Sequence, residues 1–468
     1  MKQKKVLAVL LSLAMVVSMM PGMAFAANDA SEHWAQSAFD EWAENGVLSG
    51  DENGNANLDN SMTRGELAQV LAEAFGYETT ASNQFTDLNG QWYQSAILKC
   101  VAADVMSGYG DGTVGGDDPI TREQSIVMLA RALKIEPMTT GGTAFADSAD
   151  VSSWALPYLN AMSARGIVNG NPDGTVDPLA DVSRGAVVVM LNNAVTTYIN
   201  AGGTYAAADV DATGTIVIAT AEDVVIEGVK AGDIIVAQGA ANGSVTLNDT
   251  TADNVIVSAA NGEVTVGKGS AVENVTVEEG AEDAALTVAG TVENISVKAP
   301  DTSIQAQSTA EIGTIAVEET ADGTSVNVAN GATIDTLSTD GADITATGNT
   351  SAIKNQETAN GGTINAPATR PSSGGGSHGG GNDNPSTTNP DTTTTPGGGD
   401  TPTTPGGGDT PTTPGGGDTP TTPGGGDTPT TPEGGDTPTT PEGGNTPTTP
   451  DNQGNASEGG ANNTTTSV

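Results

Sequence analysis

Apolar side chains recur at helical spacing in the N-terminal half of the chain. Trp34, Ala38, Phe39 and Trp42 follow this period until Gly46 interrupts it. A second stripe begins after Thr63 and contains Leu67, Val70, Leu71, Ala74 and Phe75. The pattern predicts two helices joined by a turn-rich segment.

This helix–turn–helix pattern occurs three times with one internal spacing. A tryptophan precedes a helix-capping Thr or Ser by 29 residues each time: Trp34 before Thr63, Trp92 before Thr121 and Trp154 before Ser183. The three units are residues 29–78, 85–137 and 145–197. Because one unit buries little apolar surface alone, we expect the three to pack into a single all-α body.

A different period governs the middle of the chain. Residues 213–347 alternate β-branched and polar side chains between Gly, Asn and Asp, which predicts one strand after another. The segments DNVIV, ENVTV, ENISV and GTIAV begin at 253, 273, 293 and 313, a repeat of 20 residues. We therefore predict an all-β repeat region over residues 205–366, a parallel β-solenoid, with a β-sandwich as the alternative.

The two ends of the chain have compositions of their own. Residues 1–26 combine a basic start, an apolar run and AFA, which is typical of a secretory signal peptide. The apolar run is shorter than the ~20 residues of a membrane span, so no membrane insertion is expected after signal removal. Residues 367–468 repeat PGGGDTPTT, and such a Pro/Gly/Thr-rich tail is expected to be disordered.

Charge and cysteine content exclude several classes of partner. The formal net charge is −43, with 58 acidic and 15 basic residues. Binding to nucleic acid or to anionic lipid depends on clustered Lys and Arg, so neither partner is expected. Cys100 is the single cysteine, which rules out an intramolecular disulfide, and its apolar neighbours predict a buried thiol.

The segments between paired helices are rich in Gly, Asp, Asn and Pro, as turns are. Asp111 and Asp173 lie in Asp-Gly turns, where they are expected to fix the turn or to accept protons from sugar hydroxyls. DENGNANLD resembles a calcium loop, but its Gly is fourth rather than sixth and Met62 replaces the bidentate Glu. No metal site is therefore predicted.

Arginine directly follows the capping residue of each second helix, at Arg64, Arg122 and Arg184. A cation is disfavoured at a helix N-terminus, whereas free amide donors and a guanidinium together suit an anion. Thr63 with Glu66 predicts a capping box. The alternative role for each arginine is an ion pair with one of the many acidic residues.

Three tandem units with an early Trp, a GYGDGT or NPDGT turn, and TRGE, TREQ or SRGA at a helix start resemble S-layer homology domains. The resemblance covers residues 29–197. It implies a secreted protein of the bacterial cell wall or S-layer, with three units around a pseudo-threefold axis. It further implies grooves in which the arginines meet a secondary wall polysaccharide whose acidic sugar is often a pyruvate ketal. Trp34, Trp92 and Trp154 are expected either to line these grooves or to pack in the core.

Three residues depart from the family pattern. Asn53 replaces the turn Asp in the first unit, Asp104 stands where the other units have Gly46 and Gly166, and Ala186 replaces the capping-box acid. Arg122 is therefore the first choice for mutation.

The expected function is noncovalent anchoring to wall polysaccharide, with display of the β-repeat region and the tail, alone or self-assembled in a surface layer. No catalytic residue and no cofactor are predicted, because the β-repeat lysines are isolated and no aromatic residue follows Tyr205. The alternatives are a wall-anchored polysaccharide-acting enzyme and an adhesin, each working through the β-repeat region.

Overall fold

The computed structural model describes residues 32–366, so the predicted leader at 1–26 and the predicted tail at 367–468 lie outside the described residues. Six α-helices occur in this part of the chain, two in each predicted unit. They are α1 Gln36–Glu44, α2 Arg64–Phe75, α3 Gln94–Ala102, α4 Arg122–Ala132, α5 Leu156–Ala164 and α6 Arg184–Ala194. We call residues 32–194 the helical body.

Left-handed residues end the first helix of each unit. Gly46, Asp104 and Gly166 have φ values of 77°, 56° and 71°. Glycine reaches this conformation without strain, and an aspartate tolerates it better than most residues do. The replacement at Asp104 therefore leaves the turn of the second unit intact.

A ring of three hydrogen bonds joins the units at the centre of the helical body. The amide of Met62 donates to the Val182 carbonyl, Val182 to Ile120, and Ile120 back to Met62, at 2.8–3.0 Å. All three side chains are buried. Each is the residue before a helix cap, so the ring sets the three second helices around a common pseudo-threefold axis, as predicted.

The β-repeat region is a parallel β-solenoid made of two nine-stranded sheets. Odd-numbered strands form one sheet: β1 Val195–Ile199, β3 Thr215–Ile218, β5 Lys230–Val236, β7 Thr251–Val257, β9 Ala271–Val277, β11 Thr291–Val297, β13 Glu311–Val317, β15 Thr333–Asp340 and β17 Ile353–Ala359. Even-numbered strands form the other: β2 Gly203–Ala206, β4 Val224–Glu227, β6 Ser244–Asn248, β8 Glu263–Val266, β10 Ala285–Val288, β12 Ser303–Ala306, β14 Ser325–Val328, β16 Asp343–Gly348 and β18 Thr363–Asn365. Every pairing is parallel, so the β-sandwich alternative is wrong.

The 20-residue repeat places equivalent side chains directly above one another. Val255, Val275, Ile295 and Ile315 are in register and at most 1% exposed. Asn274 donates its amide to Asn254 at 3.1 Å, and Asn294 donates to Asn274 at the same distance. Apolar stacking inside and an amide ladder outside therefore hold consecutive coils in one register.

The solenoid begins earlier than the predicted boundary at residue 205. Strand β1, Val195–Ile199, follows α6 directly, because the helix ends at a β-branched Val-Thr-Thr run that favours the extended backbone. Tyr198 on this strand packs 5.1 Å from the Trp42 ring and donates to the Ala74 carbonyl at 2.9 Å. The helical body thereby covers the first edge of the solenoid.

Close backbone contact and ion pairs also join the two parts. A Cβ placed on Gly76, the left-handed cap of α2, would lie 2.4 Å from the Gly239 Cα. Arg165 pairs with Asp233, and Lys134 pairs with Glu278 at 3.3 Å. The helical body and the solenoid therefore belong to one compact unit.

Candidate functional site

The second helix of each unit starts with the predicted cap. Thr63 and Glu66 form a complete capping box, with bonds of 3.1 and 2.8 Å. Thr121 and Gln124 form a longer one at 3.4 Å in both directions. In the third unit Ser183 accepts from the Ala186 amide at 3.2 Å, and alanine returns no bond. The capping predictions are confirmed.

The next two amides of each helix are not free, contrary to the expectation of open donors. The Arg64 amide donates to the Asp118 carbonyl at 3.0 Å, and the Gly65 amide donates to Gly116 at 2.9 Å. The equivalent pairs are Arg122 to Ala180, Glu123 to Pro178, Arg184 to Asn60 and Gly185 to Leu58. Each unit thus uses its helix start to bind the loop of the next unit, and any anion must be held by side chains.

The residue after each arginine fills a contact between units that sequence alone did not reveal. Gly65 lies against the Tyr93 ring, where an added Cβ would approach ring carbons to 2.6 Å. The second unit has Glu123 here, and its buried carboxylate accepts from both the amide and the hydroxyl of Ser152. These contacts fix the head of one first helix against the start of a neighbouring second helix.

Arg64 is almost completely enclosed, with 5% of its surface exposed. Its Nε donates to the Val114 carbonyl at 2.9 Å and its Nη2 to the Ser107 carbonyl at 2.8 Å. Its Nη1 bonds to Oε1 of Gln124 at 3.3 Å, and the Tyr109 ring lies 4.7 Å from the guanidinium. Burial lowers the pKa of Arg64, but an arginine stays protonated in a protein.

Arg122 and Arg184 are held less completely. Nη2 of Arg122 donates to the Asn169 carbonyl at 3.0 Å, and Nη2 of Arg184 donates to the Ser49 carbonyl at 2.8 Å. Each Nε is buried and has no hydrogen-bond partner within residues 32–366. Burial lowers both pKa values, while Asp177 and Glu66 respectively act to raise them.

The ion-pair alternative for the three arginines is not found in the described part of the chain. The pairs there with a carboxylate involve His33, Lys99, Lys134, Arg165, Lys298 and Lys354. Backbone carbonyls orient the three guanidinium groups instead. A carbonyl holds the group in place without neutralising its charge.

The three predicted tryptophans are exposed, so their placement in the core is wrong. Trp34, Trp92 and Trp154 are 63%, 64% and 50% exposed, and each precedes the first helical residue of its unit. The indole that is buried is Trp42, inside α1. Large exposed aromatic groups at equivalent positions indicate a contact surface.

Two clefts bring an arginine and a tryptophan of different units together. One, of about 370 Å³, contains Arg184 of the third unit, Glu66 of the first and Trp92 of the second. The other, of about 270 Å³, contains Arg64 and Trp154 beside Tyr109. Both clefts need all three units, which explains why the motif is repeated.

Asp111 and Asp173 fix their turns. Each carboxylate accepts from the amide and the hydroxyl of the Thr two residues later, at 2.5–3.0 Å. These bonds lower the pKa of both groups. In the first unit Asp51 compensates for Asn53 by accepting from two loop amides, and its pKa falls to about 2.

Two further carboxylates hold the loops, although the sequence analysis did not single them out. Asp87 accepts from the amides of Val114 and Gly115, and Asp147 accepts from those of Val176 and Asp177. Each precedes the first helix of its unit, and their 60-residue separation was the signal that could have revealed them.

Other predicted chemistry has a simple outcome. The Cys100 thiol is buried and donates to the Ala68 carbonyl at 3.3 Å, and burial raises its pKa to about 12. Within residues 32–366, no cluster of three or more His, Cys, Asp or Glu side chains is arranged to hold a metal ion. None of the helices described there has the length and apolar character needed to cross a bilayer.

Comparison with known proteins identifies the repeated unit. The S-layer homology domain matches residues 28–68, 84–124 and 144–188. The chain is 27% identical over 202 residues to the Surface-layer 125 kDa protein of Lysinibacillus sphaericus, covering 42% of this chain and 17% of that protein. It is 29% identical over 147 residues to the Cellulosome-anchoring protein of Acetivibrio thermocellus, covering 29% and 32%.

An enzyme also carries a matching segment. The Amylopullulanase of Thermoanaerobacterium thermosulfurigenes is 25% identical over 170 residues, which are 35% of this chain and 9% of the enzyme. The chain thus spans less than a third of each of these relatives. What they share with it is a module found on secreted cell-surface proteins of different activities. The helical body of this cell-surface chain is therefore three tandem S-layer homology domains.

Proposed function

We propose that the helical body anchors the chain noncovalently to an acidic polysaccharide of the cell wall. The observation that carries this proposal is the cleft around Arg184. Its guanidinium is oriented by a backbone carbonyl, lacks a carboxylate partner within 4 Å, and shares the cleft with the exposed Trp92.

Charge makes this arrangement informative. A chain with 58 acidic residues repels an acidic polymer over most of its surface. Local attraction must therefore come from a few guanidinium groups that its own carboxylates do not neutralise. A guanidinium binds a carboxylate or phosphate through two parallel hydrogen bonds, and the matching acid is a sugar carboxylate such as a pyruvate ketal.

Exposed indoles supply the second half of the recognition. An indole offers a flat apolar face to a sugar ring and an N–H donor to a hydroxyl. Trp92 and Trp154 stand in the two clefts, and Trp34 has the equivalent place in the first unit. Arginine then selects the acid of the polymer, and tryptophan selects its carbohydrate character.

We further propose that the solenoid is a non-catalytic part that the anchor displays. Its coils are regular, and two of its lysines, Lys298 and Lys354, already pair with Glu278 and Asp335. Proton transfer in glycoside cleavage needs acids held at a defined separation beside a bound sugar. No arrangement in residues 195–366 favours the enzyme or the adhesin alternative.

Sedimentation of the full chain with purified cell walls tests the proposal. We expect the chain to sediment with intact walls and to stay in solution after the polysaccharide has been stripped. Arg122→Ala should weaken sedimentation without unfolding the chain. Lys99→Ala removes one positive charge from the same body outside the clefts and is the matched control. Equal sedimentation with stripped walls would disprove the proposal.

A further inference from the structure

The three arginine sites are chemically unequal, although the motif repeats. Arg64 has an acceptor for Nε, for Nη1 and for Nη2, and an aromatic ring lies over its guanidinium. Arg122 and Arg184 each have one acceptor, for Nη2. Arg64 is 5% exposed, whereas the other two are partly exposed.

Neighbouring residues explain the difference. The carbonyls that accept from Nη2 belong to Ser49, Ser107 and Asn169, which are equivalent positions of the repeat. Two residues further on, the second unit has Tyr109, whereas the first has Asp51 and the third has Asn171. Only the tyrosine supplies a ring large enough to cover an arginine, and its hydroxyl is tied to Asp118 at 3.1 Å.

The capping-box position adds a second difference. Gln124 in the second unit presents its amide oxygen to Nη1 of Arg64. The first unit has Glu66 here, which stands near Arg184 without a hydrogen bond to it, and the third unit has Ala186. Arg64 has therefore spent its donors inside the protein, since a guanidinium already bonded on each nitrogen has little left for a ligand.

We propose that the acidic groups of the wall polymer bind at Arg122 and Arg184, while Arg64 is a structural tie between the first and second units. The inference rests on the proposed function and makes it specific to two of the three sites. The cleft beside Arg64 keeps Trp154 and contacts a neutral sugar of the polymer. Arg64 is thus a positioning residue.

Lysine substitutions separate the three roles, because lysine keeps the positive charge and loses the planar fork. Arg122→Lys and Arg184→Lys in the full chain should each raise the apparent Kd for polysaccharide-bearing walls by about tenfold or more. Arg64→Lys should change that Kd by less than about twofold at a temperature where the chain is folded, and should lower the Tm instead. Near-ultraviolet circular dichroism checks the fold of each variant.

Tyr109→Ala keeps the test decisive if Arg64→Lys fails to fold. Removing the ring uncovers the guanidinium while leaving the backbone acceptors, so affinity for the walls should stay the same or rise. A loss of affinity at folded Arg64→Lys equal to that at Arg122→Lys would overturn the inference and leave the anchor intact. Unchanged affinity in both Arg122→Lys and Arg184→Lys would also overturn it. Wild-type binding to stripped walls would instead remove the proposed function itself.

Discussion

The helical body and the solenoid solve the same packing problem in different ways. Each solenoid coil stacks Val or Ile on the coil before it, so its contacts repeat every 20 residues and involve neighbours alone. The helical body joins distant segments, as in the bond from Arg64 to the Ser107 carbonyl, 43 residues away. Regular stacking saturates the backbone, whereas the closure of three units leaves clefts with charged and aromatic groups.

Aromatic residues follow the same division. All four tryptophans of the chain, at positions 34, 42, 92 and 154, lie in the helical body, and no aromatic residue follows Tyr205. The solenoid interior is built from Val, Ile, Leu and Ala. The comparison teaches that the repeat can be perfect where it only supports, and that it varies where it contacts a ligand.

The largest expected effect is a cavity in the solenoid. Ile295 is 1% exposed within β11, so Ile295→Ala should cost about 2–5 kcal/mol of unfolding free energy. The outward-facing Thr287→Ala is the control and should change stability by about 0.5 kcal/mol at most. Urea unfolding gives both values.

Hydrogen exchange on Ile295→Ala would sharpen the contrast between the two regions. Because each coil contacts its neighbours alone, protection should fall most in the adjacent strands β9 and β13 and least in the helical body. An equal loss of protection in α2 would show that the two parts unfold as one cooperative unit.

A second test compares glycines from the two regions. Gly65→Ala drives a methyl group into the Tyr93 ring and should cost about 1–3 kcal/mol. Gly232→Ala in β5 meets no heavy atom within 4 Å and should be neutral or slightly stabilising. Thermal unfolding of both variants checks this, and a stabilised Gly65→Ala would contradict the close packing between units.

Acidification should produce a smaller effect in the helical body. Hydrogen bonds hold the pKa of Asp51 at about 2 and lower those of Asp111 and Asp173 from 3.8. Because the folded pKa is the lower one, the unfolded chain takes up these protons first, so this stability is present above pH 4 and is lost towards pH 2. Tryptophan fluorescence reports this body alone.

Asp51→Asn is the matched control for that titration. The asparagine cannot titrate, so the variant should be less stable at neutral pH and should lose less stability between pH 4 and 2. An identical pH dependence in both proteins would show that the Asp51 turn contributes nothing to acid sensitivity.

Sequence patterns predict the elements of both regions because those patterns are local. The capping boxes at Thr63 and Thr121 depend on residues three positions apart, and the solenoid register depends on a fixed repeat. The wrong boundary at 205 has a local cause too, since β1 is a short strand that follows α6 without a turn residue.

What the sequence could not predict depends on contacts between units. The amides of Arg64 and Gly65 look free in any single unit and are used by a loop of the next one. The exposure of Trp34 and the enclosure of Arg64 are decided by the same closure. Composition and spacing name these residues but do not say which ligand-binding donors remain open.

Hydrogen exchange of the full chain, with and without released wall polysaccharide, tests most directly whether the helical body alone is the anchor. We predict slower exchange in the loops around Ser49 and Asn169 and at the starts of α4 and α6, with strands β3 to β18 unchanged. Slower exchange along the solenoid strands, with the cleft loops unchanged, would contradict the assignment of wall binding to the helical body.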